Sequence, residues 1–314
     1  MKKASLLTLF LTVFIDLLGF GIVIPLLPFY ARQYGASGST VGMVVAVYSL
    51  MQFFFAPVWG RLSDRIGRRP VLLISLTGSA IGYGIFAVAH SLAVLFVSRI
   101  VAGIAAANIG TAQAYIADTT APENRAKGMG MIGAAFGMGF IFGPPIGGLL
   151  SGLGTSHGYH GNLFPGIAAS ALSVIAVLVG FFSLSESKSP TLVPRSGLPP
   201  QFDRKIWSFV LGKRTLGLIF LTLFLVLLAF SGLETTVTLQ GRDHFHFGAR
   251  DLGFFFGAMG LMVAVIQGVL IGGLARRLGE RNLVVVGTIS LAIGLAIIPS
   301  IDHAPWLYLV ALFL

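Results

Sequence analysis

Long apolar stretches alternate with short polar ones along the chain, and each apolar stretch has the length of a membrane-spanning helix. A helix rises about 1.5 Å per residue, so about twenty apolar residues cross a hydrocarbon layer roughly 30 Å thick. We predict spans at 6–29, 40–59, 70–89, 91–116, 128–151, 163–183, 215–240, 253–273 and 283–300. A tenth apolar run begins at Trp306. The pattern therefore predicts an all-α, polytopic membrane protein.

The composition agrees with this prediction and excludes a soluble globular protein. Of the 314 residues, 55% are hydrophobic and 10% are charged, whereas about a quarter are charged in ordinary globular domains. The 41 glycines fit helices that pack closely in lipid. The first apolar stretch is too long for a cleaved signal peptide, so we interpret it as the first helix. With no cysteine, disulfides and thiolate metal sites are excluded.

The positive charge lies mostly in alternate connecting segments, which predicts an orientation. If the N-terminus is cytoplasmic, seventeen of the 21 Lys and Arg residues fall on the cytoplasmic side. Three fall outside, namely Arg32, Arg242 and Arg250, and Arg99 lies within a span. This asymmetry is the positive-inside rule. The net charge of +10 is therefore explained by the topology of the chain in the cytoplasmic (inner) membrane, where basic residues contact lipid headgroups. We expect no nucleic-acid partner.

An internal repeat divides the chain into two halves. The segment "GRLSDRIGRR" at 60–69 returns as "GGLARRLGER" at 272–281, with the same glycine at Gly67 and Gly279. Each copy joins the second and third spans of its half, as in transporters built from repeats. We predict a six-helix half at 1–183, a cytoplasmic linker at 184–214 and an incomplete second half at 215–314. A tenth span cut after nine residues suggests a fragment or an interrupted gene.

Four motifs resemble those of a known family. "GRLSDRIGRR" is similar to the cytoplasmic-loop signature of the major facilitator superfamily, and "DLLGFGIVIPLLP" at 16–28 resembles the first-helix signature of its twelve-span drug:proton antiporters. "SRIVAGIAAA" at 98–107 and "GAAFGMGFIFGPPIGG" at 133–148 resemble the fourth- and fifth-helix signatures. With "AYIADTTAPENRAKGMG" at 114–130, the chain looks most similar to the tetracycline-resistance type. The resemblance implies a monomeric, proton-coupled exporter of a small molecule without a cofactor.

The resemblance also implies roles for two of these motifs. The basic segment would be a gating loop, in which Asp64 meets a helix end of the other half in one state of the transport cycle. We expect Gly60 and Gly67 to let the backbone turn there. The alternative is a loop that only fixes topology. The gating-loop residues are Gly60, Asp64, Arg65, Gly67, Arg68 and Arg69.

The fifth helix carries small residues at regular spacing and two prolines. Its glycines would allow close helix approach, and Pro144 would kink the helix and control the conformations of its half. Close packing alone is the alternative. The residues of this antiporter-type helix are Gly139, Gly143, Pro144, Gly147 and Gly148.

Charged side chains within the spans are the candidates for coupling and binding. Asp16 lies near the middle of the first span, where a carboxyl group must be protonated or partnered. Arg99 stays charged and needs a carboxylate, carbonyls or a wet cavity. Glu234, late in the seventh span, suits a cationic compound or a second proton. Gln113 is a candidate cavity group. The alternatives are a structural Asp16, a static ion pair of Arg99, an interfacial Glu234 and an interhelical hydrogen bond of Gln113.

One departure bears on the substrate. Tetracycline exporters similar to this chain carry an acid in the third helix before a tyrosine, where this chain reads "SAIGYGIF" with Gly82. We therefore do not expect tetracycline as the substrate. Matches to enzyme motifs, such as "GTSHG" at 154–158, lack the required strand–turn–helix context. The two histidines of "HFH" at 244–246 could contact a metal, but two histidines in an exposed loop more often have no such role, and we expect no metal site. A metabolite symporter or facilitator, or a non-transporting remnant, remains an alternative.

Overall fold

The computed structural model describes residues 3–106, 108–187, 207–209, 212–266 and 270–301. Most of the predicted linker 184–214 and the apolar run from Trp306 lie outside these residues. The first half contains α1 Lys3–Val23, a 3-10 turn Ile24–Leu26, α2 Leu27–Gln33, α3 Gly38–Ile66, α4 Arg68–Ala87, α5 Leu92–Ala105, α6 Asn108–Thr119, α7 Pro122–Ser156 and α8 Leu163–Ser183. The second contains α9 Arg214–Phe245, α10 Ala249–Val265, α11 Ile271–Leu278, α12 Glu280–Ile297 and a 3-10 turn Ile298–Ser300.

The helices coincide with the predicted spans. Seven helical segments within the described residues are long and apolar enough to cross a membrane, and each matches one of the first seven predicted spans. The eighth and ninth predicted spans coincide with α10, of 17 residues, and α12, of 18 residues. Serine hydroxyls cap α3 and α5, where Ser37 accepts from the Thr40 N–H and Ser91 from the Val94 N–H. The prediction of an all-α, polytopic membrane protein is confirmed.

The basic segment 60–69 is mostly helical, which corrects our expectation of a loop that turns at both glycines. Helix α3 continues through Gly60 and Asp64 to Ile66, and α4 begins at Arg68. Only Gly67 lies between the two helices, with φ +109°, a value that favours glycine. The sequence repeat is also a structural one, since Gly279 separates α11 from α12 with φ +76°.

The fourth span is broken, although the sequence predicts one helix over 91–116. Helix α5 ends at Ala105, and α6 begins at Asn108. Three carbonyls at the end of α5 accept side-chain donors: Ile104 from Trp59, Ala105 from Ser75 and Ala106 from Gln52. Such partners let non-helical backbone persist at membrane depth.

Helix α7 lies at the centre of the described bundle. It packs against α1 on one side and α10 on the other, and α4 packs against α5 and α8. One apolar core gathers around Leu26, Tyr30 and Phe86, and a second around Leu9 and Tyr115. A third core, around Leu233, Phe255 and Phe256, belongs to the second half. Large apolar side chains stay exposed on the outside of the bundle, as on α9 at Leu221, Phe224 and Leu228, where lipid would surround them.

Candidate functional site

Asp16 lies in the wall of a cavity with mixed polar and apolar lining inside the first half. This Asp16 cavity, of about 140 Å³, is lined by residues of α1, α3, α4 and α7 together with the broken fourth span. Its polar side chains are Asp16, Tyr48, Gln52, Ser79 and Tyr83. Asp16 is only 4% exposed, so its carboxyl group faces the cavity rather than lipid. A carboxyl group at membrane depth must be protonated or partnered, and the polar groups of this cavity surround it.

Arg99 lies beside this cavity, enclosed by aromatic rings. The residue is fully buried, and its guanidinium carbon is 5.9 Å from the centre of the Tyr83 ring and 5.5 Å from that of Phe86. Its Nε donates to the Ser98 hydroxyl at 3.3 Å. Within the described residues, its two terminal nitrogens have no hydrogen-bond partner. Tyr83 therefore links the two charged groups, since it contacts Arg99 and lines the Asp16 cavity.

Glu234 lies in a second cavity, between the two halves. This Glu234 cavity, of about 360 Å³, is formed by residues of α7, α9 and α10 and is lined by Phe136, Phe140, Phe230 and Phe256. Within the described residues, the buried Glu234 Oε1 has no hydrogen-bond partner. Helix α9 extends to Phe245, beyond the predicted end at 240, so Glu234 is farther from the helix end than expected. A carboxyl group among aromatic rings is an arrangement that can attract a cation.

The two cavities share one wall residue that the sequence does not reveal. Phe136 of α7 lines both the Asp16 cavity and the Glu234 cavity. A phenylalanine within an apolar helix carries no sequence signal that separates it from its neighbours. Gln113, a predicted cavity group, is exposed on α6 and is not among the residues that line either cavity.

Arg68 holds two carboxylates at the end of the bundle that carries Gly67. It donates to Asp64 at 2.7 Å through NH1 and to Asp118 at 3.0 Å through Nε. Its NH1 also donates to the Ser63 hydroxyl at 2.6 Å. In this conformation Asp64 pairs with Arg68 of its own half, and its contact with a helix end of the other half in one state of the cycle stays a prediction. Asp118 lies in the last turn of α6, in a polar part of the sequence where a carboxylate carries no distinguishing signal, and the sequence analysis did not identify it.

A second unpredicted carboxylate caps α4. The backbone N–H groups of Arg68 and Arg69 donate to Glu186 at 2.8 and 3.2 Å, which stabilises the positive end of the helix. The guanidinium of Arg69 donates to the Phe181 carbonyl at 2.5 Å. The start of the predicted linker is thus bound to the basic segment.

The glycines of α7 allow close approach on both sides, as expected. Gly139 and Gly143 lie against Leu17 and Gly21 of α1, and Gly147 against Ile22. On the other side, Gly148 contacts Ala249 and Arg250 at the start of α10. Glycines therefore occupy the positions of α7 at which α1 and α10 approach it most closely.

The prolines of α7 do not end the helix, which continues to Ser156. Pro144 and Pro145 have no N–H to donate, so the carbonyls of Phe140 and Ile141 lose their helical partners. These carbonyls face α10: a methyl group at Gly260 would lie 2.8 Å from the Phe140 oxygen, and one at Gly257 would lie 3.4 Å from the Ile141 oxygen. The glycines of α10 thus accommodate the carbonyls that the prolines release.

Gly82 occupies a position where no larger side chain fits. A methyl group there would lie 2.9 Å from the Ala102 side chain and 3.1 Å from its backbone. An acidic residue at this position would require α4 and α5 to move apart. Gly82, which replaces the acid of similar tetracycline exporters, is therefore part of the close contact between α4 and α5.

Comparisons with known proteins agree with this architecture. Residues 9–314 match the Major Facilitator Superfamily. The chain is 36% identical over 300 residues to the class C tetracycline resistance protein of Escherichia coli, covering 94% of this chain and 73% of that protein. It is 31% identical over 288 residues to multidrug resistance protein 2 of Bacillus subtilis strain 168, covering 90% and 70%.

A solved structure supports the same assignment. The human organic anion transporter MFSD10 superposes with a TM-score of 0.68 at 27% identity, covering 99% of this chain and 82% of that one. Sequence and fold therefore agree over nearly the whole chain. The chain belongs to the Major Facilitator Superfamily, and it is a multi-pass membrane transporter of small molecules, not an enzyme.

Proposed function

We propose that this protein exports a lipophilic, drug-like compound across the cytoplasmic membrane in exchange for protons. The observation that carries the proposal is the Glu234 cavity, an aromatic chamber between the halves with a carboxylate in its wall. The relatives named for resistance to tetracycline and to multiple drugs support export. The substrate is a compound other than tetracycline, because the acid expected in the third helix is replaced by Gly82.

Asp16 is the proposed proton-coupling group. A carboxyl group that alternates between a neutral and a charged form needs a hydrated site within the membrane, and the Asp16 cavity has five polar residues in its wall. Arg99 contributes a buried positive charge on the other side of Tyr83, whose ring it contacts and which lines the Asp16 cavity. Protons enter from outside, neutralise Asp16 or Glu234, and leave toward the cytoplasm as the compound passes outward.

Alternating access would come from rocking of the two halves, 1–183 and 215–314, with the linker on the cytoplasmic side. In this orientation the N-terminus and the basic segment 60–69 face the cytoplasm, as the positive-inside rule requires. The Asp64–Arg68–Asp118 cluster would hold one conformation at that face. Gln113, exposed on α6, would act only in a conformation in which it faces the cavity.

Everted membrane vesicles test the proposal. Adding a transported compound should dissipate a respiration-driven pH gradient, and Asp16→Asn should abolish the response. The control is Glu123→Gln, an exposed carboxylate in the first turn of α7 that is not among the residues that line either cavity. A broad panel of lipophilic compounds that moves no protons, with or without the substitution, would contradict proton-coupled export.

A facilitator or symporter for an organic anion is the second candidate. The fully buried guanidinium of Arg99 and the structural neighbour described as an organic anion transporter favour it. Proton-coupled uptake of organic acids, with no response to lipophilic cations, would establish this second function instead.

A further inference from the structure

A third cavity opens beside the basic segment and continues the Asp16 cavity toward that end of the bundle. This basic-end cavity has a volume of about 380 Å³, and Ser63, Asp64, Arg68 and Thr111 line it. It shares Gln52, Ala106 and Ile109 with the Asp16 cavity. The two cavities therefore meet at one place, where the fourth span is broken.

Gln52 stands at this meeting point. Its Nε2 donates to the Ala106 carbonyl at 3.4 Å, and its side chain lines both cavities. A glutamine amide has a second N–H and an accepting oxygen, which are groups that bind water. An apolar side chain here would join Ile109 and Ala106 in a continuous apolar wall.

The Asp16 cavity and the Glu234 cavity differ in the ligands they suit. The first is lined by two tyrosines, a serine, Gln52 and Asp16, and its 140 Å³ is room for a few waters, each of which takes about 30 Å³. The second is lined mainly by phenylalanines, which suit an apolar compound. Phe136 forms the wall between them.

We propose that a hydrated route inside the first half connects Asp16 to the basic end through Gln52, separately from the compound-binding cavity. The inference rests on the proposed coupling role of Asp16. The Asp16 carboxyl group would give its proton to a water, leaving a carboxylate and a hydronium ion, and the waters past Gln52 would pass the proton on. A separate route lets the proton leave while the compound fills the Glu234 cavity.

Accessibility of single cysteines tests the route without relying on transport, because the chain contains no cysteine. Ser79→Cys places a thiol in the Asp16 cavity, and Ala114→Cys places one in the basic-end cavity. Ser173→Cys is the matched control, since Ser173 is fully buried on α8 and is not among the residues that line these cavities. Everted vesicles carrying the full chain are exposed to Ag⁺, a thiol-binding cation small enough to follow water, and the remaining thiols are counted after denaturation.

We expect Ser79→Cys to react at least about tenfold faster than Ser173→Cys, since a buried thiol reacts only through local opening. Adding Gln52→Leu should slow the reaction at Ser79→Cys by about the same factor and leave Ala114→Cys unchanged, whereas Gln52→Asn, which keeps the amide, should not slow it. A reaction at Ser173→Cys that stays slow in the Gln52 variants shows that they are folded, because unfolding would expose this buried position.

Two results would overturn the proposal. Reaction at Ser79→Cys no faster than at Ser173→Cys would mean that no route reaches the Asp16 cavity. The reaction at Ser79→Cys could also stay fast with Gln52→Leu and become slow when Gly137→Trp fills the Glu234 cavity. That result would mean that water reaches Ser79→Cys through the compound site. Neither result depends on proton coupling, so a failed route and a failed function of Asp16 can be told apart.

Discussion

Within the part of the chain that the structure describes, Glu234 is the one charged side chain that lines the aromatic cavity between the halves. Carboxylates and aromatic rings both attract cations, and the attraction is strongest where water is excluded. Because the surrounding wall is apolar, the charge of Glu234 would decide between cationic and neutral compounds of similar size.

Replacing this carboxylate by its amide should separate the two kinds of compound. Glu234→Gln should weaken export of a lipophilic monocation about tenfold to a hundredfold, the loss expected for a charged hydrogen bond worth about 1.5–3 kcal/mol. Export of a neutral compound should change little. Efflux assays in intact cells would measure both, with the exposed carboxylate variant Glu123→Gln as the control. Equal losses for both compounds would contradict a charge-selective role.

Gly82 and Gly84 lie two residues apart on α4 and differ in the space around them. A methyl group at Gly82 would lie 2.9 Å from Ala102, whereas one at Gly84 would make an ordinary contact of 3.7 Å with Ser170. Gly82→Ala should therefore destabilise the protein by about 1–3 kcal/mol through overpacking, and Gly84→Ala should not. Thermal unfolding of the purified protein would show this difference, and equal midpoints would contradict the close contact of α4 with α5.

The sequence reveals a site residue when its side chain is costly to bury where the sequence places it. Asp16, Arg99 and Glu234 can be found because a charge within an apolar stretch is expensive. Asp118 and Glu186 lie in polar segments, where carboxylates are common, and only the structure shows that both bind the basic segment. Phe136 has no signal either, because its importance comes from two cavities that form only after the helices pack.

Helix α7 packs closely against two helices, α1 and α10, but its glycine spacing predicts only one of these contacts. The spacing of Gly139, Gly143 and Gly147 predicts one close neighbour, which is α1. The second neighbour, α10, approaches through glycines of its own that follow no motif we had singled out. The broken fourth span is likewise hidden in the sequence, because Ala106 lies in a run of small residues without proline, and the donors that hold the break come from α3 and α4.

The α1–α7 contact can be tested with two glycines of the same helix. A methyl group at Gly143 would lie 2.6–2.8 Å from the backbone of Gly21 and Ile22, whereas at Gly137 nothing lies within 4 Å. We expect Gly143→Ala to lower the unfolding midpoint by a few degrees and to reduce transport, because overpacking costs about 1–3 kcal/mol. Gly137→Ala is the control and should leave the midpoint unchanged. A midpoint for Gly143→Ala equal to that of the control would show that the helices are farther apart.

The two halves also meet directly at the end of the bundle opposite Gly67. Arg242 of α9 donates to the Phe29 carbonyl at 3.0 Å and lies 5.0 Å from the centre of its ring. Nearby, Arg32 pairs with Asp243 at 3.5 Å. In the proposed orientation this is the outer face, so the contacts would close the transporter toward the outside. Outward opening would have to break them.

Cross-linking this contact should therefore stop transport. The double variant Arg32→Cys/Asp243→Cys, treated with a short bifunctional thiol reagent, should lose at least about tenfold of its transport rate, because a covalent link holds the halves in one state of the cycle. A cleavable reagent should restore the rate on reduction, and each single variant serves as a control. Full activity in the cross-linked protein would contradict opening at this face.

The central claim is that Asp16 exchanges a proton when the compound binds elsewhere, and substrate-induced proton release tests it most directly. Purified protein in weakly buffered detergent solution is mixed with a transported compound, and the pH change and compound binding are followed together. We predict that the wild-type protein releases protons on binding, and that Asp16→Asn still binds the compound but releases none. Proton release from Asp16→Asn equal to that of the wild type would contradict the account.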